Sequence, residues 1–376
     1  VRVVQVVTMA SPDGSFGGPM RVATNLATEL RRRGHQVVIV AGQRGYDETP
    51  TALSGVPARL FGVRRVLPIS GFAGLASPDM LRWFREASRD FDVMHVHLAR
   101  DLITLPMARL AIARGLPVVA QTHGMIRPRR DLAARIIDAA LTRPVLARAD
   151  AVTFLTDQEK TDLVGVSRPG VRLSELRNGI VIGPAASETR RSSPEALFLG
   201  RLHPRKRAPV FVEAALRLLE DGVDARFAIV GPDEGDLPQV LAAIGRSRHH
   251  GAFSVEGALD PDDTGARMAR SDVFVLPSVD EPYPMAVLEA MALGLPVVVT
   301  DTCGLAGSVS QGAGYVADDG VESLTEAMRR LLTGVDERIT LGEKAREIVR
   351  RDHDIASVAT TLEQMYVHAA RGGTAR

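Results

Sequence analysis

VFVLPSVDEPYPMAVLEAMALGLPVVVTD, residues 273–301, reads as a strand, a turn, a helix and a second strand in one run. VFVLPS and LPVVVTD are short continuous apolar runs rather than alternating ones, and such strands belong to parallel sheets covered by helices on both faces. The helix beginning around Pro284 carries the chain back for the second parallel strand. Two carboxylates stand out: Glu281, beside two prolines in an exposed turn, and Glu289, inside the apolar helical run.

The same alternation extends in both directions. Upstream lie VRVVQVVTM, a helix ending LATELRRRG, then HQVVIVAG, FDVMHVHL, LPVVAQTHG and ADAVTFLT. The segment NGIVIGPAASETRRSSPEA is polar and rich in Gly, Pro and Ser, and reads as a linker. Beyond it the pattern restarts with ALFLGRL, ARFAIVGP and FSVEG before reaching the opening stretch. The expected fold is therefore two α/β domains, each a doubly wound parallel sheet, over residues 1–185 and 186–355. The last helix, within 356–376, is expected to cross back onto the first domain. Ligands of open α/β sheets bind beyond the carboxyl ends of the strands, so two such domains facing a central cleft would line it with their strand-exit loops.

Composition narrows the function classes. The chain has 376 residues, 45% apolar and 24% charged, as expected of a globular protein. It holds no 18-residue uncharged apolar run, and its first residues lack the pattern of a secretory signal, so the cytoplasm is the expected compartment. Cys303 is the sole cysteine, which rules out an intrachain disulfide or a cysteine zinc cluster. Its apolar context favours a structural thiol over a catalytic one. Arginines number 43 against 3 lysines, a compositional bias; with 4% aromatics and no recognition motif, no nucleic-acid partner is expected. Residues 1–185 carry a net charge of +9 and residues 186–376 a net of −8. One half therefore suits an anionic partner, or the two halves simply attract each other.

Chemistry is sought in the strand-exit loops. SPDGSFGGPMRV places Gly17 and Gly18 before a helix, with Pro19 suited to its first position, so a phosphate would fit there; a plain tight turn is the alternative. FLGRLHPRKRAP sets Arg201, Arg205, Lys206 and Arg207 between a strand and a helix, a cation cluster suited to a diphosphate or else a solvated loop. Glu281 at its strand exit can reach a ligand. Glu289 on an apolar helix face is costly to bury unless it accepts hydrogen bonds, which sugar hydroxyls would supply. His123 comes after a strand and precedes a glycine, and is expected at the ligand edge. His95 and His97 alternate along one strand and so point to the same side.

Together these motifs resemble the retaining glycosyltransferases of family 4, which have the two-domain GT-B fold. The resemblance rests on Gly17-Gly18 with a helix ending RRRGHQV, THG at His123, NGI at Asn178, GRLHPRK over Arg201 and Lys206, IVGP at Gly231, and the E-x7-E of Glu281 and Glu289, all in the family's order. It implies that Glu289 binds the nucleotide ribose and Glu281 the hydroxyls of the donor sugar. It further implies that Arg201 and Lys206 neutralise the diphosphate, and that His123 contacts the transferred sugar. Backbone amides at Gly17, Gly18 and Met285, Ala286 and Val287 would meet the donor, as would Asn178 and Gly231. Asp13, His97 and Arg127 are the acceptor-side candidates. The implied donor is a nucleotide sugar, and the implied acceptor a glycan, lipid-linked or small-molecule hydroxyl. Cell-surface polysaccharide assembly is the favoured setting; a nucleotide-sugar epimerase of the same fold and natural-product glycosylation are the alternatives.

No cofactor and no metal are expected, since Asp262 or Asp263 in LDPDDTG is better explained as a helix N-cap than as a cation ligand. The segment GMIRPRRDLAARIIDAALTRPVLARAD mixes arginines with aliphatic residues at helical spacing. It fits either docking on an anionic membrane surface or a solvated face over core.

Overall fold

The computed structural model describes residues 1–12, 17–67, 71–167, 169–185, 193–260 and 263–373. Two compact units emerge: Val1–Gly179 with Ile355–Arg376, and Ile180–Asp354. Each is a parallel-sheet α/β domain.

In the first unit the strands are β1 (Arg2–Ala10), β2 (Gln36–Gln43), β3 (Ala52–Leu53), β4 (Val56–Gly62), β5 (Arg64–Arg65), β6 (Leu75–Ala76), β7 (Val93–His97), β8 (Val118–Gln121), β9 (Ala151–Phe154) and β10 (Leu173–Glu175). Among the described residues they form an eight-stranded sheet in the order β10-β9-β8-β7-β1-β2-β4-β3, with β5 and β6 paired apart. Only β3 pairs antiparallel within that sheet. Every residue of β1 after Arg2 is buried whichever face it points to, which is why the strand reads as an unbroken apolar run. The chain works outward from β1 through β2 and β4, then starts again at β7 and proceeds the other way. The reversal lies between β1 and β7, whose carboxyl ends are Ala10 and His97.

In the second unit β11 (Glu195–Leu199), β12 (Arg226–Val230), β13 (Phe253–Gly257), β14 (Val273–Leu276), β15 (Val297–Thr300) and β16 (Gly314–Ala317) are ordered β13-β12-β11-β14-β15-β16. All pairs are parallel. Here the reversal falls between β11 and β14. The crevice at such a reversal is where an open sheet takes its ligand. Phe198, Phe211, Phe227 and Phe253 form a continuous aromatic chain in this unit, with successive centroids 5.9, 6.1 and 5.5 Å apart.

The final helix, Ile355–Gly373, belongs to the first unit and packs on helix Gly17–Arg32. Arg33 fastens the two: its Nη1 donates to Glu363 (2.9 Å), its Nη2 to the Ala356 carbonyl (2.5 Å) and its Nε to Glu29 (2.7 Å). Tyr366 of the same helix is buried, its hydroxyl 2.9 Å from His95 Nδ1 in β7. Asp263 precedes helix Thr264–Met268 but makes no side-chain cap hydrogen bond, contrary to the expected N-cap, and Asp262 lies outside the described residues.

Hydrogen bonds from Arg32, with further help from Arg33, outweigh the burial of Glu29 and bring its carboxyl down to about 2. Because that value lies below the unfolded one, the stabilisation is present above pH 4.5 and is lost as pH falls towards 2. It amounts to at most about 3 kcal/mol. Denaturant midpoints measured over this range should fall with acid, and Glu29→Gln should flatten that part of the slope; an unchanged slope would contradict the assignment.

Candidate active site

The reversal in the second unit brings two loops together. After β11 the chain makes a compact turn in which His203 N–H donates to the Arg201 carbonyl (2.8 Å) and Lys206 N–H to that of His203 (2.7 Å). Arg207 ends the turn with φ at +59° and opens helix Ala208–Glu220. After β14, Val279 N–H donates to the Arg205 carbonyl (3.0 Å), so the backbones of the two loops are joined. Across this junction Lys206 Nζ lies 2.8 Å from Glu281 Oε2, and both side chains are only 12% exposed. Arg205 Nη2 stands further off, 3.9 Å from the same oxygen.

A third loop locks the Glu281 turn in place. Asp280, at φ +51°, donates its N–H to Thr302 Oγ1 (3.2 Å), and Thr300 Oγ1 donates to the Ser278 carbonyl. Gly304 N–H donates to the Glu281 carbonyl (2.8 Å), at an approach so close that a Cβ on Gly304 would sit 1.8 Å from the Pro282 oxygen. Gly231 plays the matching part behind the cation loop. At φ +144° it lies where a Cβ would meet the Gly200 oxygen at 2.0 Å, so it sets how closely the β12 exit approaches the β11 exit.

Burial pulls the Lys206 ammonium below its ordinary value, and the Glu281 carboxylate partly restores it. The pair is thus a desolvated cation held charged by one anion, with little water to screen a second. The Cys303 thiol is buried and pushed up to about 12, so it remains neutral, in keeping with a structural role. Helix Met285–Leu293 starts directly after Pro284 with no side-chain cap; Met285 and Val287 are buried, and Ala286 and Glu289 half-buried. Arg201 is not presented alone: its Nη1 contacts both oxygens of Glu234, at 3.0 and 2.9 Å. Arg207 donates to the Asp319 carbonyl.

The other sequence-derived candidates lie in the first unit. The His95 and His97 rings adjoin with centroids 4.7 Å apart and planes tilted by 30°, and His97 stacks on His123 at 5.0 Å with rings 5° from parallel. His97 Nδ1 is 2.7 Å from His123 Nε2. Burial lowers His95 to about 4 and His123 to about 3, and His97 well below its ordinary value, so all three rings are neutral near pH 7. At the β1/β7 reversal the buried Asp101 accepts from Thr8 Oγ1 (2.6 Å) and from the N–H groups of Ile103 (2.8 Å) and Thr104 (2.6 Å). Asn178 is 3% exposed and its Oδ1 accepts from Gln121 Nε2 (3.0 Å). Arg127 donates to the Gly124 carbonyl (3.1 Å) and so braces the His123 turn. Gly17 and Gly18 form the first turn of helix Gly17–Arg32, so Pro19 is its third residue rather than its first. Asp13 lies outside the described residues. Glu234 and Glu159, which engage Arg201 and the His123 turn, were not among the sequence candidates. Nothing near either in sequence marks them.

Residues 17–179 match the family model for the glycosyl transferase 4-like domain, and residues 193–334 that for glycosyl transferases group 1. One family domain thus falls in each unit, and the chain belongs to the GT-B glycosyltransferases. It is 29% identical over 297 residues to the glycogen synthase of Mycobacterium tuberculosis, covering 75% of this chain and 70% of that one. Similarity to the GDP-mannose-dependent alpha-(1-6)-phosphatidylinositol dimannoside mannosyltransferase of the same species is 28% identity over 395 residues, covering 100% of this chain and 99% of the relative. Among solved structures, Anabaena HepE in complex with UDP and glucose has the same fold, with a TM-score of 0.76 at 17% identity, covering 96% of this chain and 98% of that one. Glycosyl transfer, not epimerisation, is the reaction of these relatives, and the epimerase reading is set aside.

The close approach at Gly304 makes a direct test of how the Glu281 turn is held. Gly304→Ala must push the Pro282 carbonyl away, and should destabilise the second unit by more than about 2 kcal/mol in chemical denaturation. A variant of wild-type stability would show that the turn is not fixed there.

Proposed function

We propose that this glycosyltransferase moves a hexose, with retention of anomeric configuration and without a metal ion, from a nucleoside-diphosphate sugar to a hydroxyl of a glycan or lipid-linked acceptor. The observation that carries the reading is the Lys206–Glu281 pair at the β11/β14 reversal, with Arg201 and Arg205 on the same loop. Breaking the anomeric carbon–oxygen bond leaves the electron pair on the diphosphate, whose charge grows in the transition state. A preorganised ammonium shielded from water stabilises that growth more than it stabilises the ground state. No side chain caps the N-terminus of helix Met285–Leu293, and a helix N-terminus of this kind suits an anion.

In this reading Glu281 orients Lys206 and accepts from sugar hydroxyls, while Glu289 binds the ribose. Arg201 exchanges some of its contact with Glu234 for the diphosphate. His123 contacts the transferred sugar as a neutral imidazole, supported by the burial that holds its protonation down to about 3. A neutral ring adds no repulsion to an oxocarbenium-like carbon. The departing phosphate takes the acceptor's proton, so no protein base is assigned. These cations supply the charge that a divalent ion would otherwise bring.

We place the enzyme in the cytoplasm, docked on an anionic membrane face. No helix among the described residues is long and apolar enough to cross a membrane. Helix Leu132–Ile137 instead exposes Leu132 (70%) and Ile136 (59%), one turn apart, beside the exposed Arg129, Arg130 and Arg135. Aliphatic side chains flanked by arginines suit the boundary between anionic headgroups and acyl chains. The mannosyltransferase relative, whose named acceptor is a phosphatidylinositol glycolipid, supports a lipid-borne acceptor.

Two experiments test the reading. With GDP-mannose and UDP-glucose heading a donor panel, Lys206→Ala should cut kcat by about 100-fold or more. Glu289→Ala should chiefly raise the donor KM; the product should keep the donor's anomeric configuration by NMR, and EDTA should leave the rate unchanged. Wild-type kcat in Lys206→Ala, inversion, or loss of activity with EDTA would each refute the corresponding part. Separately, Leu132→Glu with Ile136→Glu should abolish sedimentation with phosphatidylglycerol vesicles while sparing turnover on a soluble acceptor; undiminished sedimentation would remove the membrane assignment.

A further inference from the structure

We propose that Glu159 is a positioning residue that fixes the imidazole of His123, an inference that rests on the reading of His123 as a contact of the transferred sugar. His123 has φ at +50°, a left-handed region that strains a side-chain-bearing residue and persists only where the surroundings enforce it. One buried carboxylate enforces it from both sides. Glu159 Oε1 accepts from Thr122 Oγ1 (2.5 Å) and from Gly124 N–H, the residues immediately before and after His123. Its Oε2 accepts from Leu155 N–H (2.7 Å) at the end of β9. Glu159 is 4% exposed and stands in the first turn of helix Asp157–Val166, where Thr156 Oγ1 accepts its own N–H (3.2 Å).

The arrangement is specific to a carboxylate. Three donors converge on two oxygens, so a neutral amide would turn an NH2 towards an N–H or O–H and lose at least one bond. Burying this charge is costly, and an apolar side chain could fill the space with less penalty. What an apolar side chain could not do is hold the two neighbours of His123 at fixed points relative to the β9 exit. His97 then completes the constraint from the ring side, stacked on His123 with its Nδ1 2.7 Å from Nε2. Glu159 sets the backbone that aims the ring, and His97 sets the ring's rotation. A small misplacement of a sugar contact is enough to slow a transfer that depends on orientation.

The test is a double-mutant cycle with a local structural readout. In Glu159→Gln, amide exchange at Gly124 should quicken about tenfold or more, with the rest of the sheet protected as before. Its kcat should drop about tenfold with donor KM within about twofold, because misorientation slows the chemical step and not the binding of the nucleotide. In a His123→Ala background the same substitution should have no further effect on kcat. Unchanged Gly124 exchange would overturn the proposal, as would a loss of kcat equally large with and without His123. If His123→Ala alone left kcat at the wild-type value, the sugar-contact reading would fail, and Gly124 exchange by itself would then decide whether Glu159 holds the turn.

Discussion

A buried ammonium held charged by a single carboxylate, Lys206 against Glu281 at 2.8 Å, is the interaction on which the catalytic account depends. Neither group is stable alone in so little water, since an unpaired charge at that depth would have to neutralise or draw solvent in. Their pairing is possible because a parallel sheet reverses direction between β11 and β14, which sets two strand exits side by side. The loop after β15 then holds the Glu281 turn through Thr302 and Gly304. The charge geometry is therefore a consequence of topology, with close backbone approaches at Gly231 and Gly304 setting the spacing.

The first unit contributes a contrasting environment. Its three adjoining histidines are kept neutral by burial, and two of its buried carboxylates, Asp101 and Glu159, are each surrounded by donors. Under the proposed mechanism this division matches the charges of the reaction. Negative charge gathers on the diphosphate, where the cationic loop lies. Positive charge gathers on the sugar, where a neutral imidazole is the contact.

Much of this was legible in the sequence because it depends on periodicity and on strand exits. Continuous apolar runs marked the parallel strands, and alternation placed His95 and His97 on one side, as their 4.7 Å ring separation shows. The cation loop and the Glu281 turn were legible because each comes directly after an apolar strand, the position at which open sheets meet their ligands. Long-range pairing was not legible. Arg201 was read as free for a diphosphate, yet it contacts Glu234 from the loop after β12, a contact set by how two loops fold over one sheet edge. Glu159 reads in TDQEK as an ordinary first-turn helix acid, and only its burial against Thr122 and Gly124 reveals a second role. Arg127, placed with the acceptor by its basic neighbourhood, also donates to the Gly124 carbonyl, with its side chain 42% exposed. The basic segment after it is helical as expected, but it passes through a π-helical turn at Asp138–Thr142, where Arg100 grips the buried Asp138 at 2.8 Å.

The central claim is that Lys206 meets the charge released on the donor. A crystal structure with an intact nucleoside-diphosphate sugar tests it most directly. The account predicts a diphosphate oxygen within hydrogen-bond distance of Lys206 Nζ, with Glu281 still adjoining that nitrogen; a diphosphate bound away from the β11/β14 reversal, leaving the Lys206–Glu281 pair untouched, would contradict it.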